Sequence, residues 1–465
     1  MTKKLQVKIP TSRGDYTGDR LYNTYVLWAI LTDYPFTNVR VDNYPDNTSH
    51  AEVSTAVIFN LGVTGWIDLD VTGENAFSLT HDGGRTWGAH FGDPGPACCD
   101  PVVRIWGNNI HLVWLGLYHT YYMRSTDGGA TWGPVINVGN CPSTDHPWIA
   151  LRRDTIVIIY ANFCTSSRIY SAYSYDNGTT WNRTAVYSTG GVPMATADDS
   201  LFYAVWWRYS GSCIYLYVSR STNGAVWSSP TNAACMTRDI APNPYPVGYQ
   251  PVAWGKGNIG IIYMSGSLSD LKVSFVRSTN GGATWSSPIR ITSNPSSVAE
   301  YMPALAADPY GGLHAFWYDN RAGYGLWGLY YSYSSDGGIT WSPSIRVSDT
   351  YFPFVERSGC GGVGGVDYTN DCWPGHYIDA WADSNFVYVA WSDNRIVSGG
   401  RNYWHIWFAY APLPSTNVSE KLDFKGKGKK IYSVDGKFVG EDIEKLPKGI
   451  YIVREGKKTY KVIRR

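Results

Sequence analysis

Continuous apolar stretches of strand length recur along the chain, among them NIHLVWLG, TIVIIYAN, LFYAVWW, NIGIIYMS and GLHAFWYD. Each is followed by a run such as RIYSAYSY or GLYYSYSS, whose period of two predicts a half-exposed strand. A shorter apolar segment precedes each stretch, as in PWIALRR and MPALAAD, and a further short strand such as SIRVSD follows. Each unit therefore reads as four strands. Four-stranded units repeated at about 45–60 residues predict an all-β fold, a β-propeller built from blades.

The repeats are punctuated by one phrase, Ser-x-Asp-Gly-Gly-x-Thr-Trp. It reads MRSTDGGATWG at 123–133, VRSTNGGATWSS at 276–287 and YYSYSSDGGITWS at 330–342. Six copies end on Trp87, Trp132, Trp181, Trp227, Trp285 and Trp341, spaced 45, 49, 46, 58 and 56 residues apart. Their acidic or amide positions are Asp82, Asp127, Asp176, Asn223, Asn280 and Asp336. Such a side chain can accept backbone N–H groups across a turn, while glycine supplies the positive φ. The tryptophan offers apolar area to wedge between sheets. The fourth copy, STNGAVW, is one residue short and lacks its Thr. The phrase is expected to be structural.

A seventh unit, HYIDAWADSNFVYVAWSDNR followed by YWHIWFAYAP, has three strands and no fourth. The segment LQVKIP or NTYVLWAI near the N-terminus is expected to supply it and close the ring. Seven blades fit best, and six is the alternative if the loosely patterned first unit is not a blade. The chain divides into an N-terminal arm (1–49), the propeller (50–412), a linker (413–420) and a small C-terminal β-sandwich-like module (421–465).

Charge separates the last part from the rest. Residues 421–465 carry 14 Lys and Arg against 6 Asp and Glu; the preceding 420 residues carry 25 against 32. An acidic body argues against nucleic acid as partner. No apolar run reaches the roughly 18 residues of a membrane span. Eight cysteines lack zinc-ligand spacing and point to disulfides in an oxidising compartment, hence to an extracellular or surface location. Cys360 and Cys372 bracket the Gly-rich loop CGGVGGVDYTNDC and are expected to pair. The opening TKKLQVKIP shows no signal-peptide core. DYTND at 367–371 offers oxygens to calcium but lacks a full ligand loop, so no cofactor is assigned.

The six phrases resemble the Asp-box, or BNR, repeats of sialidases and their relatives over residues 50 to about 412. That resemblance implies boxes on the face away from the site. It also implies a Tyr nucleophile activated by Glu, for which Glu300 and Tyr301 are the nearest pair. The Arg-Ile-Pro element of sialidases is absent. The tail, with IYSVDGKFV, LPKGIYIV and a final Lys-rich strand, resembles the C-terminal sorting domain of proteins exported by the type IX secretion system, which implies delivery to the surface or the medium.

On the face opposite the boxes, ligand-binding candidates lie at the starts of the innermost strands: Glu52, Asp100, Asp145, His146, Gln250, Glu300, Tyr301, His376 and Tyr377. Arg321 and Arg395 join them from the turns WYDNR and WSDNR. Paired carboxylates there can serve as general acid and base on a glycosidic bond. The plainer reading of each Asp-Asn-Arg is a turn whose Asp caps the backbone and whose Arg pairs with a neighbouring blade's carboxylate. The expected function is non-catalytic binding of a glycan or surface protein, or assembly with copies of itself. The alternative is a sialidase-like glycoside hydrolase.

Overall fold

The structure, a computed structural model, describes residues 36–69, 74–93, 98–139, 141–211, 213–237, 248–267, 270–354, 374–414, 429–433, 438–440, 449–455 and 458–464. Every regular element among them is a β-strand. Seven four-stranded antiparallel sheets form the blades of a propeller. Their innermost strands are, in order, His50–Ile58, Cys98–Trp106, Thr144–Arg152, Gly191–Ala197, Tyr249–Trp254, Glu300–Ala307 and Asp379–Ala382. In blades one to six the chain runs outward from the innermost strand to the edge.

The seventh blade is assembled from both ends of the ring. Its fourth strand is Thr37–Arg40, with Thr37 opposite Tyr410 and Arg40 opposite Trp407. The ring is thus closed by an N-terminal strand, as expected, but by TNVR. The two segments proposed from the sequence lie outside the described residues. TNVR is short and only partly apolar, so its pattern gave no strand signal.

The boxes occupy the turns between third and fourth strands. In the second, Ser125 Oγ donates to Asp127 Oδ1 at 2.7 Å and accepts from Gly129 N at 2.8 Å. Thr131 donates to Asp127 through both its N–H (2.9 Å) and its hydroxyl (2.6 Å). The short fourth box keeps this lock: Asn223 Oδ1 accepts from Ala225 N and Val226 N at 3.0 and 3.1 Å. Each well-placed box tryptophan packs on the preceding blade. Trp132 meets Phe91, Trp181 meets Tyr122 and Trp341 meets Phe275, with ring centroids 5.4, 4.8 and 5.3 Å apart. Arginines reinforce the same seams, as where Arg277 Nη1 donates to Gly337 O at 3.1 Å.

Three disulfides are present among the described residues: Cys98–Cys99, Cys141–Cys164 and Cys213–Cys235. Cys360, Cys372 and the DYTND run lie outside them. In the tail, Ser415–Arg465 belongs to a separate compact unit. Its described strands form one antiparallel sheet in the order Phe438–Gly440, Lys429–Ser433, Gly449–Glu455, Lys458–Arg464.

Candidate functional site

The innermost strands share a local irregularity that aims side chains at the propeller axis. In blades one, two, three, four and six the pairing register slips within the first residues of the strand. A non-glycine residue at the slip adopts positive φ: Glu52 (52°), Asp100 (52°), His146 (46°), Val192 (47°) and Met302 (47°). Left-handed backbone costs an ordinary residue about 1–2 kcal/mol. Its recurrence at one position in five blades marks a built feature of this face.

Three of these residues, with a fourth group from blade seven, form a continuous polar cluster. His376 pairs through Nδ1 with Glu52 Oε1. Asp100 offers a carboxyl oxygen within 4.8 Å of the Glu52 carboxyl and of the His376 ring. His146 N donates to Asp100 Oδ2 at 3.2 Å and to Asp145 Oδ1 at 3.0 Å. His146 Nδ1 lies 3.1 Å from Pro193 O, and Tyr377 OH donates to Pro101 O at 3.1 Å. Gly375 makes the approach of blade seven possible, since a Cβ there would stand 2.2 Å from Glu52 N.

Glu52 and Asp100 are only 1% and 5% exposed. Burial pushes the Glu52 carboxyl up to about 7. Burial, and then the charge of Glu52, push Asp100 well above the usual carboxylate range. Asp145 is raised to about 6 by burial and by Asp100. Burial holds His146 down at about 4 and lowers His376 against the pull of Asp100 and Asp145. Near neutral pH the mouth therefore combines a protonated Asp100, a partly protonated Glu52, an ionised Asp145 and neutral imidazoles, an array of hydrogen-bond donors and acceptors.

Other candidates fall elsewhere. Glu300 is first in its strand, opposite Asp319, and the axial position of that blade belongs to Met302. The Glu300 carboxylate is committed to the seam with blade five: Oε2 accepts from Val273 N at 2.8 Å, and Oε1 accepts from Asn294 Nδ2 at 2.8 Å and from Thr292 Oγ1. Tyr301 packs edge-on against Trp327 and Phe354. Arg321 and Arg395 each clamp the Asp two residues before, and stack at 3.8 Å over Tyr330 and 3.9 Å over Trp407. Neither arginine joins the axial cluster; Arg321 also reaches Ser344 of its own blade at 2.8 Å, while Arg395 pairs with Asp349 of the neighbouring sixth blade, the plainer reading of the Asp-Asn-Arg turns.

Gln250 sits deeper in the channel, in a crossbar the sequence reading missed. Its Nε2 donates to Asp379 Oδ1 at 2.9 Å and its Oε1 accepts from Leu305 N at 2.6 Å. Arg104 Nη1 donates to Asp379 Oδ2 at 2.8 Å, as does Ser54 Oγ at 2.7 Å. The Arg104 guanidinium lies 5.4 Å from both the Trp148 and Trp381 rings. A lone Arg and a lone Asp in the apolar inner strands VVRIW and IDAWA were the available signal. Arg104, Gln250 and Asp379 line the inner end of a cavity of about 380 Å3, whose walls include Ala150, Ala253 and Ala306 and which reaches the box side at Phe59 and Trp106.

The family described as BNR/Asp-box repeat matches residues 332–343, the sixth box. The chain is a seven-bladed β-propeller whose third-to-fourth-strand turns carry six hydrogen-bonded boxes, one of which matches that repeat. No curated protein matches it. Among solved structures, it is similar to YCF48 bound to D1 peptide, at 16% identity over 82% of this chain and 96% of that one, with a TM-score of 0.44. The α-L-arabinofuranosidase Arb93A of Fusarium graminearum gives 13% identity, 82% and 99% coverage and a TM-score of 0.44. The Hadza microbial sialidase Hz136 gives 14%, 76% and 76%, and 0.41. No site residue of this Asp-box propeller is carried over from them. No helix among the described residues is long and apolar enough to cross a membrane.

Proposed function

We propose that this Asp-box propeller is an extracellular or surface-displayed binding protein that takes a glycan at its axial mouth and does not cleave it. The observation that carries this reading is the contact between Glu52 and Asp100. One oxygen of each lies within 4.8 Å of the other and of a His376 ring nitrogen. Carboxyls that act on opposite sides of a glycosidic bond stand about 5–5.5 Å or 6.5–9.5 Å apart, with the sugar between them. Carboxyls this close, with His376 against Glu52, leave no such gap, but they suit a ligand rich in hydroxyl groups.

Aromatic surface on the same face supports a sugar. The hairpins between second and third strands open on the side where the innermost strands begin, as the bond from Thr144 N to Tyr118 O (2.7 Å) illustrates. They carry the exposed Tyr118, Phe163 and Tyr209 on three consecutive blades. Such rings stack on the apolar faces of pyranoses. The three disulfides and the resemblance of the tail to a sorting domain support a role outside the cytoplasm.

The test is titration of the full chain with oligosaccharides of varied composition, alongside an assay for release of reducing ends. Binding that weakens at least tenfold in Tyr118→Ala or Phe163→Ala, with no release, supports the reading. Reducing ends released by the wild type and not by Glu52→Gln would overturn it in favour of a hydrolase. The absence of any sugar binding would overturn it outright.

A further inference from the structure

Glu52, Asp100 and His376 come from three different blades, yet each offers a ligand atom within 4.8 Å of the other two. Glu52 Oε2 is buried and has no hydrogen-bond partner. A buried carboxylate oxygen without a partner is expensive, and a cation is one of the few groups that satisfies it. From this geometry we infer that Glu52, Asp100 and His376 form a binding site for a divalent transition-metal cation of the zinc class. The inference goes beyond the glycan reading and does not need it, because metal uptake is measured with no sugar present.

The donor set decides the class of metal. Calcium takes six to eight oxygen ligands, and an imidazole is foreign to that shell. One imidazole and two carboxylates suit zinc, which binds nitrogen and oxygen at about 2.0–2.2 Å. Three protein ligands leave the fourth position open. His376, whose side chain is 29% exposed, is the member through which the site meets the solvent. An outer contact is already in place: His146 N donates to Asp100 Oδ2 at 3.2 Å. Such contacts fix ligand orientation. A metal with one open position could also be the point at which vicinal sugar hydroxyls dock.

A second trio, Asp42, His50 and His405, has similar spacing but a different character. Arg40 Nε already donates to Asp42 Oδ1 at 2.9 Å, and Arg40 Nη2 lies 3.0 Å from His405 Nδ1. Ile406 N donates to Asp42 Oδ2. A metal there would meet a fixed positive charge, so this trio serves to tie the closing strand to the ring.

The experiment strips the full chain with EDTA and adds back zinc, manganese or calcium chloride. Metal content is read by mass spectrometry and affinity by calorimetry. One zinc per chain is expected, with calcium at least 100-fold weaker. Asp100→Asn and His376→Ala should each bind zinc at least tenfold more weakly while melting as the stripped wild type does. Anomalous diffraction at the zinc edge, from crystals of the wild type soaked in zinc, decides the matter should either variant fail to fold. A peak between Glu52, Asp100 and His376 supports the inference. Zinc retained by both variants, a peak only at Asp42, His50 and His405, no bound zinc, or a preference for calcium would each overturn it.

Discussion

Trp87 of the first box stands edge-on against Phe408 of the seventh blade, with ring centroids 5.1 Å apart and an interplanar angle of 73°. This contact joins the two ends of the ring. It also explains the second glycine of the box. Gly84 lies at φ +85°, and a Cβ there would come within 2.1 Å of Phe408 Cε1. The glycine is required by backbone conformation and by the neighbouring blade at once.

Two alanine substitutions separate those requirements. Gly107 has φ +59° and nothing within 4 Å of an added Cβ. Gly107→Ala should cost only the left-handed strain, about 1–2 kcal/mol. Gly84→Ala adds overpacking of the seam and should cost roughly 1–3 kcal/mol more. Urea denaturation of the two variants measures the difference. Equal midpoints would mean that Phe408 moves aside freely and that the box does not wedge the ring shut.

The boxes also predict how stability falls in acid. Asp127 is held at about 2 by the Thr131 hydroxyl and N–H and by Ser125, and Asp176 at about 2 by the corresponding groups of Thr180. An unperturbed aspartate titrates near 3.8. Depressed acids bind fewer protons folded than unfolded, so their contribution is complete above about pH 4 and is lost as pH falls toward 2. Asn280 makes the same bonds without titrating: Oδ1 accepts from Thr284 N at 3.0 Å and Nδ2 donates to Thr284 Oγ1 at 2.8 Å. A chain carrying Asp127→Asn and Asp176→Asn should therefore lose less melting temperature between pH 5 and pH 2.5 than the wild type. An unchanged pH profile would show that the box carboxylates do not set acid stability.

The architecture was legible because its signals are local and repeated. Alternation in GLYYSYSS, the apolar runs and the six tryptophans report periods that survive individual exceptions, and the absence of a seventh box pointed to a blade completed from elsewhere. The site was legible in part. Glu52, Asp100, His146 and His376 were placed at strand starts by counting, and the structure brings them together. Glu300 was placed by the same count and points into a seam. What separates them is the register slip, whose positive-φ residue carries the axial side chain, while Glu300 stands two residues before it. The slip is carried by Glu, Asp, His, Val and Met at positive φ, with no glycine at that position to announce it in the sequence. The crossbar of Arg104, Gln250 and Asp379 was illegible as a unit for a different reason. Its members are 146 and 129 residues apart in the chain and meet only because the ring closes.

That crossbar should be energetically coupled. Asp379 is fully buried and accepts from Arg104, Ser54 Oγ and Gln250. Removing one partner of a buried ion pair costs about 3–5 kcal/mol, because the other charge remains without compensation. Arg104→Met should fall in that range. Adding Asp379→Asn removes the stranded charge and should restore part of the loss, a coupling visible in a double-mutant cycle. Additive losses would mean that the two side chains are held independently by their own blades.

Glu300 provides the sharpest separation between a seam residue and a mouth residue. Its carboxylate accepts from Val273 N, Asn294 Nδ2 and Thr292 Oγ1, and all three donors belong to blade five, across the seam from Glu300. Glu300→Ala leaves the buried Val273 N–H and the Thr292 hydroxyl without this acceptor, each worth about 1–3 kcal/mol where water cannot replace it, while Asn294 Nδ2 keeps Asp319 Oδ2 at 3.2 Å. The variant should be markedly less stable in urea while its folded fraction binds zinc and sugar as the wild type does. His376→Ala should show the reverse, a weakened mouth on a ring of nearly normal stability, since its imidazole is partly exposed and bonds the axial cluster rather than a seam. Loss of ligand binding in Glu300→Ala at unchanged stability would return that residue to the site and remove the register slip as the device that defines it.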